Sequence, residues 1–134
     1  PSDRHDQVWM DLSLNLRGMV AQQLVPTIDG EGRRAAIEVL INSPLVADTI
    51  RKGEVHAIKE IMTKSSELGM QTFDQALYKL FSEGHISYDS ALASADSAND
   101  LRLLIKLSGG DISQQGQPQG LSLEANQDDI GLGR

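Results

Sequence analysis

Residues 68–80 read Leu68-Gly-Met-Gln-Thr-Phe-Asp-Gln-Ala-Leu-Tyr-Lys-Leu80, and they define one amphipathic helix from its cap to its apolar face. Thr72 stands where an N-cap is expected, and Gln75 three residues later can complete a capping box. Apolar residues then recur at spacings of three and four: Phe73, Ala76, Leu77, Leu80 and Phe81. Gly84 follows where a left-handed C-terminal residue is expected. We therefore expect a helix that begins at Phe73 and packs Leu77 into a core.

Further helix signals lie on both sides of this run. Ser43 is a plausible N-cap, and Pro44 follows at the first helical position, where its missing N–H leaves no hydrogen bond unmade. These two residues predict a short helix over 44–52. Apolar spacing predicts another helix between Gly53 and Gly69, and serines that precede apolar runs predict two last helices that end at 92 and 107. Four to five short helices are thus expected between 43 and 108.

The first forty residues have a different pattern. Residues 3–16 contain no Gly or Pro and predict a helix, whereas 19–25 and 33–41 predict two strands joined by the turn Asp29-Gly-Glu-Gly32. The second strand alternates between a fully apolar set and a mixed set, which favours a hairpin with one buried face. A lone hairpin is marginally stable in water. It therefore needs the helices of this chain or strands that the chain lacks.

The expected fold is α+β and mainly helical. Residues 1–42 are expected to form a helix and a β-hairpin, and residues 43–108 a bundle of four to five short helices. Residues 109–134 lose all periodicity and are rich in Gly and Gln, so a disordered tail is expected there. The chain begins with Pro1 rather than Met and opens directly into a helix signal. We therefore expect it to be cut from a longer protein.

Composition argues against several classes of function. The chain of 134 residues has no cysteine and three scattered histidines, a composition that does not favour metal or thiolate chemistry. A net charge of −7 opposes attraction to phosphates, so no nucleic-acid partner is expected. The sequence shows neither a membrane span nor a secretory leader, so we expect a cytoplasmic location without direct membrane insertion. No catalytic, cofactor-binding or metal-binding residue is predicted in this segment.

Two arginines at the start of the second strand are candidate contact residues. Arg33 and Arg34 point to opposite faces of a strand, so one of them is expected to face away from solvent or toward a partner. A salt bridge or a snorkelling side chain is the simpler interpretation, and contact with a phosphate is the alternative. The pattern Gly-x-x-x-x-Gly-Lys-Ser/Thr, which binds nucleotide phosphates, does not occur in the sequence.

The order of these motifs resembles one protein family. The matching runs are Leu12-Ser-Leu-Asn-Leu-Arg-Gly18, Val20-Ala-Gln-Gln-Leu24, Gly32-Arg-Arg-Ala-Ala-Ile-Glu-Val-Leu40, Ser43-Pro44 with Ile50-Arg51, Leu68-Gly-Met-Gln-Thr-Phe-Asp74 and Ser97-Ala-Asn-Asp-Leu-Arg102. Together they resemble the C-terminal end of the type IV pilus retraction ATPases, the PilT/PilU family of twitching-motility motors. The resemblance covers residues 2 to about 108.

Within the family the chain is more similar to the PilU type. Along the helix after Ser43, the PilT type carries Ala-Ile-Arg-Asn-Leu-Ile-Arg-Glu, a motif tied to retraction. Here Ala47 replaces the first arginine and Lys52 replaces the glutamate, so that only Ile50 and Arg51 match. The continuation past Leu107 is also similar to the PilU type.

The resemblance implies a segment without catalytic residues. Motors of this family are hexameric RecA-like ATPases, and their phosphate loop, magnesium-holding acidic residues and histidine box lie upstream of the part that resembles this chain. The hairpin would then close the edge of a truncated RecA-like domain, and the helices would form the C-terminal subdomain. ATP and Mg²⁺ would bind to the parent protein and not to this fragment. Candidate coupling or interface residues are Arg33, Arg34, Ile50 and Arg51.

The same resemblance implies the partners and the location of the parent protein. We expect a homo-hexamer formed through the full-length parent, a second retraction ATPase as a partner, and contact with the pilus platform of the inner membrane at its cytoplasmic face. Two other interpretations stay open. The chain can be a free-standing helical module that binds a partner protein, or the equivalent region of a related type II secretion or pilus-assembly ATPase.

Overall fold

A computed structural model describes residues 4–109, which form six α-helices and one antiparallel two-stranded sheet. The elements in chain order are α1 (His5–Asn15), β1 (Gly18–Pro26), β2 (Arg33–Ile41), α2 (Pro44–Arg51), α3 (Ile58–Thr63), α4 (Phe73–Ser82), α5 (Tyr88–Ser94) and α6 (Ala98–Leu107). The helix expected between Gly53 and Gly69 is shorter than that interval, since α3 has a short 3-10 turn on each side, at Val55–Ala57 and at Ser66–Leu68. The expected tail lies, apart from Gly109, outside the described residues.

The two strands pair in a continuous register that runs from Gly18 opposite Ile41 to Pro26 opposite Arg33. A single residue extends the outer side of β2, because the Val39 N–H donates to the Gln71 carbonyl at 2.8 Å and the Gln71 N–H donates back at 3.0 Å. The hairpin is therefore hydrogen-bonded on that side to the segment that leads into α4.

The buried face of the hairpin is the mixed face. Val25, Ala36 and Leu40 are buried under the helices, and Glu38 lies half-buried between the last two. The fully apolar set of β2 lies on the other face, where Ile37 and Ile41 are both 37% exposed. The alternation thus predicts correctly that the two faces differ. The helices of this chain cover the less apolar face.

Two hydrophobic clusters form the core. One contains Val25 and Ala36 with residues of α4, α5, α6 and the α4–α5 connection: Ala76, Leu77, Ile86, Ala91, Leu101 and Ile105. The other contains Leu40 with residues of α2, α3 and the segment before α4: Val46, Ile50, Met62 and Met70, with Trp9 and Leu16 packed against it. Each cluster draws residues from both sides of residue 42. Among the described residues, no helix has the length and apolar character that crossing a bilayer requires.

Candidate functional site

The N-terminus of α4 carries the capping box that the sequence predicts. The Gln75 N–H donates to Thr72 Oγ1 at 3.3 Å, and the Thr72 N–H donates to Gln75 Oε1 at 3.0 Å. Ser43 caps α2 in the same way, since its hydroxyl accepts from the Val46 N–H at 3.3 Å and Pro44 follows at the first helical position. Both helices therefore begin where the sequence places them.

We expect Thr72→Ala to lower the free energy of unfolding by about 1 kcal/mol, because the Gln75 N–H loses the hydroxyl oxygen that caps it. Urea unfolding of both proteins measures this loss. Thr63→Ala is the matched control, since the Thr63 hydroxyl is exposed and only donates back to the Lys59 carbonyl within α3. The control should stay within about 0.5 kcal/mol of the parent. Equal losses in the two variants would contradict the capping role.

An ionic junction lies directly beside this cap. Lys59 Nζ on α3 contacts Glu38 Oε2 on β2 and Asp96 Oδ2 before α6, the latter at 2.6 Å. Glu38 Oε2 also accepts from the backbone N–H of Phe73 at 3.2 Å. The Lys59 ammonium lies 5.7 Å from the centre of the Phe73 ring, within the range of a cation–π contact. Two helices, a strand and the connection between α5 and α6 therefore meet at one lysine.

Asp74 extends the junction to the start of α6. Its carboxylate accepts from the Asp96 N–H at 2.9 Å and from the Ser97 N–H at 3.2 Å. Burial raises the pKa of Asp74, although these two hydrogen bonds oppose the change. Burial lowers the pKa of Lys59, but the hydrogen bonds to Asp96 and Glu38 outweigh it and raise that pKa overall. Lys59 is therefore protonated throughout the physiological range.

Sequence reasoning did not identify this junction. Lys59 is separated from Glu38 by 21 residues and from Asp96 by 37, so no local spacing rule connects them. The one available signal was a glutamate within an otherwise apolar and small stretch of β2, because a half-buried carboxylate needs a cation or hydrogen-bond donors.

Arg33 and Arg34 are both exposed in the structure. Neither of them turns away from solvent within the described residues, so the other part of the expectation, contact with a partner, stays a prediction. Arg34 lies opposite Val25, near the turn end of the strand pair. Neither arginine takes part in a salt bridge among residues 4–109.

Ile50 and Arg51, the other two candidate coupling residues, occupy different environments. Ile50 is 2% exposed and belongs to the cluster of Leu40 and Val46, so its side chain is part of the core. Arg51 is on the surface, and its guanidinium donates to Asp48 Oδ1 at 2.6 Å within the same helix. Hydrogen bonds from Lys52 and Arg51 lower the pKa of Asp48. Of the pair, only Arg51 is accessible to a partner.

The uncovered face of the hairpin is an apolar feature of the described surface. Val20 is 72% exposed and Leu24 50%, and they share a face with Ile37 and Ile41 across the strand pair. We call these four residues the open sheet face. Large apolar side chains of α1 are exposed as well: Val8, Met10, Leu12 and Leu14. Contiguous exposed apolar residues of this kind usually mark an interaction surface.

The chain resembles known pilus motor proteins in sequence. It is 66% identical over 131 residues to the type IV pilus ATPase PilU of Pseudomonas aeruginosa, a match that covers 96% of the chain and 34% of PilU. It is 34% identical over 95 residues to the type IV pilus retraction ATPase PilT of the same organism, with 71% of the chain and 27% of PilT covered. No family model matches the chain. The chain spans about a third of the length of PilU.

A solved structure supports the same relationship. The crystal structure of the pilus retraction motor PilT with bound ADP superposes with a TM-score of 0.67 and 31% identity, over 77% of this chain and 28% of that protein. The sequence match to PilU extends over nearly all of the chain, and the match to PilT is weaker. The chain therefore belongs to the PilT/PilU family of type IV pilus ATPases, as a segment that is closer to PilU than to PilT.

Proposed function

We propose that the chain is the C-terminal, non-catalytic segment of a hexameric type IV pilus retraction motor that powers twitching motility. In this proposal it couples nucleotide-driven movement to subunit packing or to contacts with the pilus platform. The observation that carries the proposal is the open sheet face, which the helices within residues 4–109 leave uncovered while they bury the opposite face. A longer protein of the PilU type supplies the residues that cover it.

The extent of the uncovered apolar surface supports a larger parent. Val20, Leu24, Ile37 and Ile41 line one side of both strands, and a soluble protein seldom leaves such a row in water. Burial of apolar surface stabilises by about 25 cal/mol per Å². Covering this face would therefore contribute substantially to the stability of the parent. The hairpin is then the edge of a RecA-like domain, and residues 43–108 form the helical subdomain beside it.

The proposal assigns nucleotide chemistry to other parts of the parent. The sequence holds no Gly-x-x-x-x-Gly-Lys-Ser/Thr loop, which is the element that binds the phosphates in nucleotide-binding proteins of this type. ATP and Mg²⁺ then bind upstream. The parent assembles as a hexamer at the cytoplasmic face of the inner membrane, with a second retraction ATPase and the pilus platform as partners.

A chimaera tests the proposal. The matching third of Pseudomonas PilU is replaced by this chain, and ATPase activity and oligomer mass are measured. We expect an active oligomer, and we expect Ile37→Asp in the chimaera to destabilise it by about 2 kcal/mol or more, because the carboxylate would be buried against the rest of the protein. Leu103→Asp is the matched control, since Leu103 on α6 is 55% exposed and lies outside the open sheet face.

Two outcomes would contradict the proposal. An inactive chimaera that folds would show that the chain cannot replace the PilU segment. Equal tolerance of aspartate at positions 37 and 103 would show that the open sheet face stays in water, as in a free-standing helical module. A separate measurement with a fluorescent ATP analogue checks the assignment of chemistry, because the isolated chain should not bind it at micromolar concentration.

A further inference from the structure

The helices are divided into two groups along the hairpin. Helices α1, α2 and α3 pack around Leu40, near the end where Gly18 is opposite Ile41, and we call them the open-end group. Helices α4, α5 and α6 pack around Val25 and Ala36, near the turn, and we call them the turn-end group. Each group therefore has a hydrophobic cluster of its own, and the two strands run through both.

The boundary between the groups is polar. Glu38 lies on the buried face between Ala36, which belongs to one cluster, and Leu40, which belongs to the other. A groove of about 570 Å³ separates α3 from the first turns of α4 and α6. Its walls are mostly charged or hydroxylated side chains and include Lys59, Glu60, Asp74 and Asp96. Among the ion pairs of residues 4–109, the pair of Lys59 with Asp96 crosses this groove.

Lys59 spans that boundary. It lies on α3 of the open-end group, and its ammonium contacts Glu38 of β2 and Asp96, which connects α5 and α6 of the turn-end group. Glu38 in turn accepts from the Phe73 N–H at the first residue of α4. We propose that Lys59 is an ionic latch that couples the open-end and turn-end groups into one cooperative unit, and that opening it lets the two groups move independently about the hairpin.

The exposure of the partners explains why the contact acts as a latch and not as a core element. The side chains of Lys59 and Asp96 are each 51% exposed, so water competes with their pairing. Glu38 is only 18% exposed and is held by Lys59 and by the α4 backbone together. Breaking the latch leaves both hydrophobic clusters in place. One hydrogen bond from Gln75 Nε2 to the Thr63 carbonyl, at 3.2 Å, crosses the same boundary and stays intact.

The chain carries separate natural probes for the two groups. Its single tryptophan, Trp9, packs against the open-end cluster, whereas both tyrosines, Tyr78 and Tyr88, pack against the turn-end cluster. Urea unfolding is followed by Trp9 fluorescence and, after fluorotyrosine incorporation, by fluorine NMR. In the unmodified chain the two transitions should coincide. In Lys59→Met the midpoints should separate by about 0.5 M urea or more.

Lys64→Met is the matched control. Lys64 directly follows α3, pairs among residues 4–109 only with Glu60 of that helix, and is 72% exposed, so its removal should leave the two transitions coincident. Coincident transitions in Lys59→Met would overturn the proposal, and so would separate transitions in the unmodified chain. If Lys59→Met shows no folded baseline, Asp96→Asn replaces it, because this variant keeps the Glu38 pair. In Asp96→Asn the urea midpoints reported by Trp9 and by the tyrosines should then separate. If they coincide, the proposal that Lys59 couples the two groups is wrong.

Discussion

Leu77→Ala is expected to lower the free energy of unfolding by about 3 kcal/mol, since the substitution leaves a cavity in the turn-end cluster. Leu77 has no exposed surface and lies among Val25 and Ala36 of the hairpin and Leu101 and Ile105 of α6. Its removal therefore loosens the strand pair and the helices at once. Urea unfolding followed by circular dichroism measures the loss, provided that the slope of the transition is unchanged.

Leu103→Ala is the control for Leu77→Ala. Leu103 is also a helical leucine, but it is 55% exposed and its side chain loses little by truncation. We expect a change within about 0.5 kcal/mol for this variant. If both leucines gave similar losses, the assignment of Leu77 to a closed core would be wrong. If neither gave a loss, α4 would not hold the hairpin in solution.

Local rules predicted the helix starts well because caps need only neighbouring residues. Ser43, Thr72, Ser87 and Ser97 all accept from the N–H three residues later, as their positions before apolar runs indicate. The turn predicted at residues 29–32 does connect the two strands, and in it Asp29 Oδ1 accepts from the Glu31 N–H at 3.0 Å. These features depend on a few consecutive residues, and the sequence contains all of them.

The identity of the covered sheet face depends on more than local rules. The alternation in β2 shows that two faces differ, but the amphipathic helices of this chain cover Ala36, Glu38 and Leu40. The more apolar face, with Ile37 and Ile41, is the one we propose a longer parent to cover. A pattern-based assignment of the buried face assumes that the whole core is present. The chain spans about a third of the length of PilU, and in our proposal part of that core lies in the longer parent.

The contacts of Lys59 are a second feature that local sequence rules do not predict. Its partners come from a strand and from a turn far along the chain, and they meet only after both clusters form. The division of the sequence at residue 42 is a prediction about where a RecA-like domain ends. The packing adds a different division, because the open-end and turn-end groups both contain residues of the hairpin. The first division marks a predicted domain boundary, and the second separates the groups of helices that we propose to move independently.

Asn42→Ala is expected to lower the free energy of unfolding by about 2 kcal/mol, because two hydrogen bonds that fix α1 are lost together. The Asn42 side-chain amide donates to the Ser13 carbonyl at 2.9 Å and to the Leu16 carbonyl at 2.8 Å. It thereby joins the last turn of α1 to the start of α2. Trp9 fluorescence during urea unfolding reports the loss directly, since Trp9 lies on α1 and packs against the open-end cluster.

Asn15→Ala is the control for Asn42→Ala, since Asn15 Nδ2 donates to the Asp11 carbonyl within α1 on an exposed surface. This variant should change the free energy of unfolding by less than about 0.5 kcal/mol.

Asn42→Asp sharpens the test. At neutral pH its carboxylate would face two carbonyl oxygens, which raises the folded-state pKa of the new group and makes this variant less stable than Asn42→Ala. Because a raised carboxyl pKa costs stability as the pH rises, acidification toward the ordinary aspartate range, about 3.9, should restore part of the loss. An aspartate variant as stable as the parent at neutral pH would show that the amide of Asn42 does not hold α1.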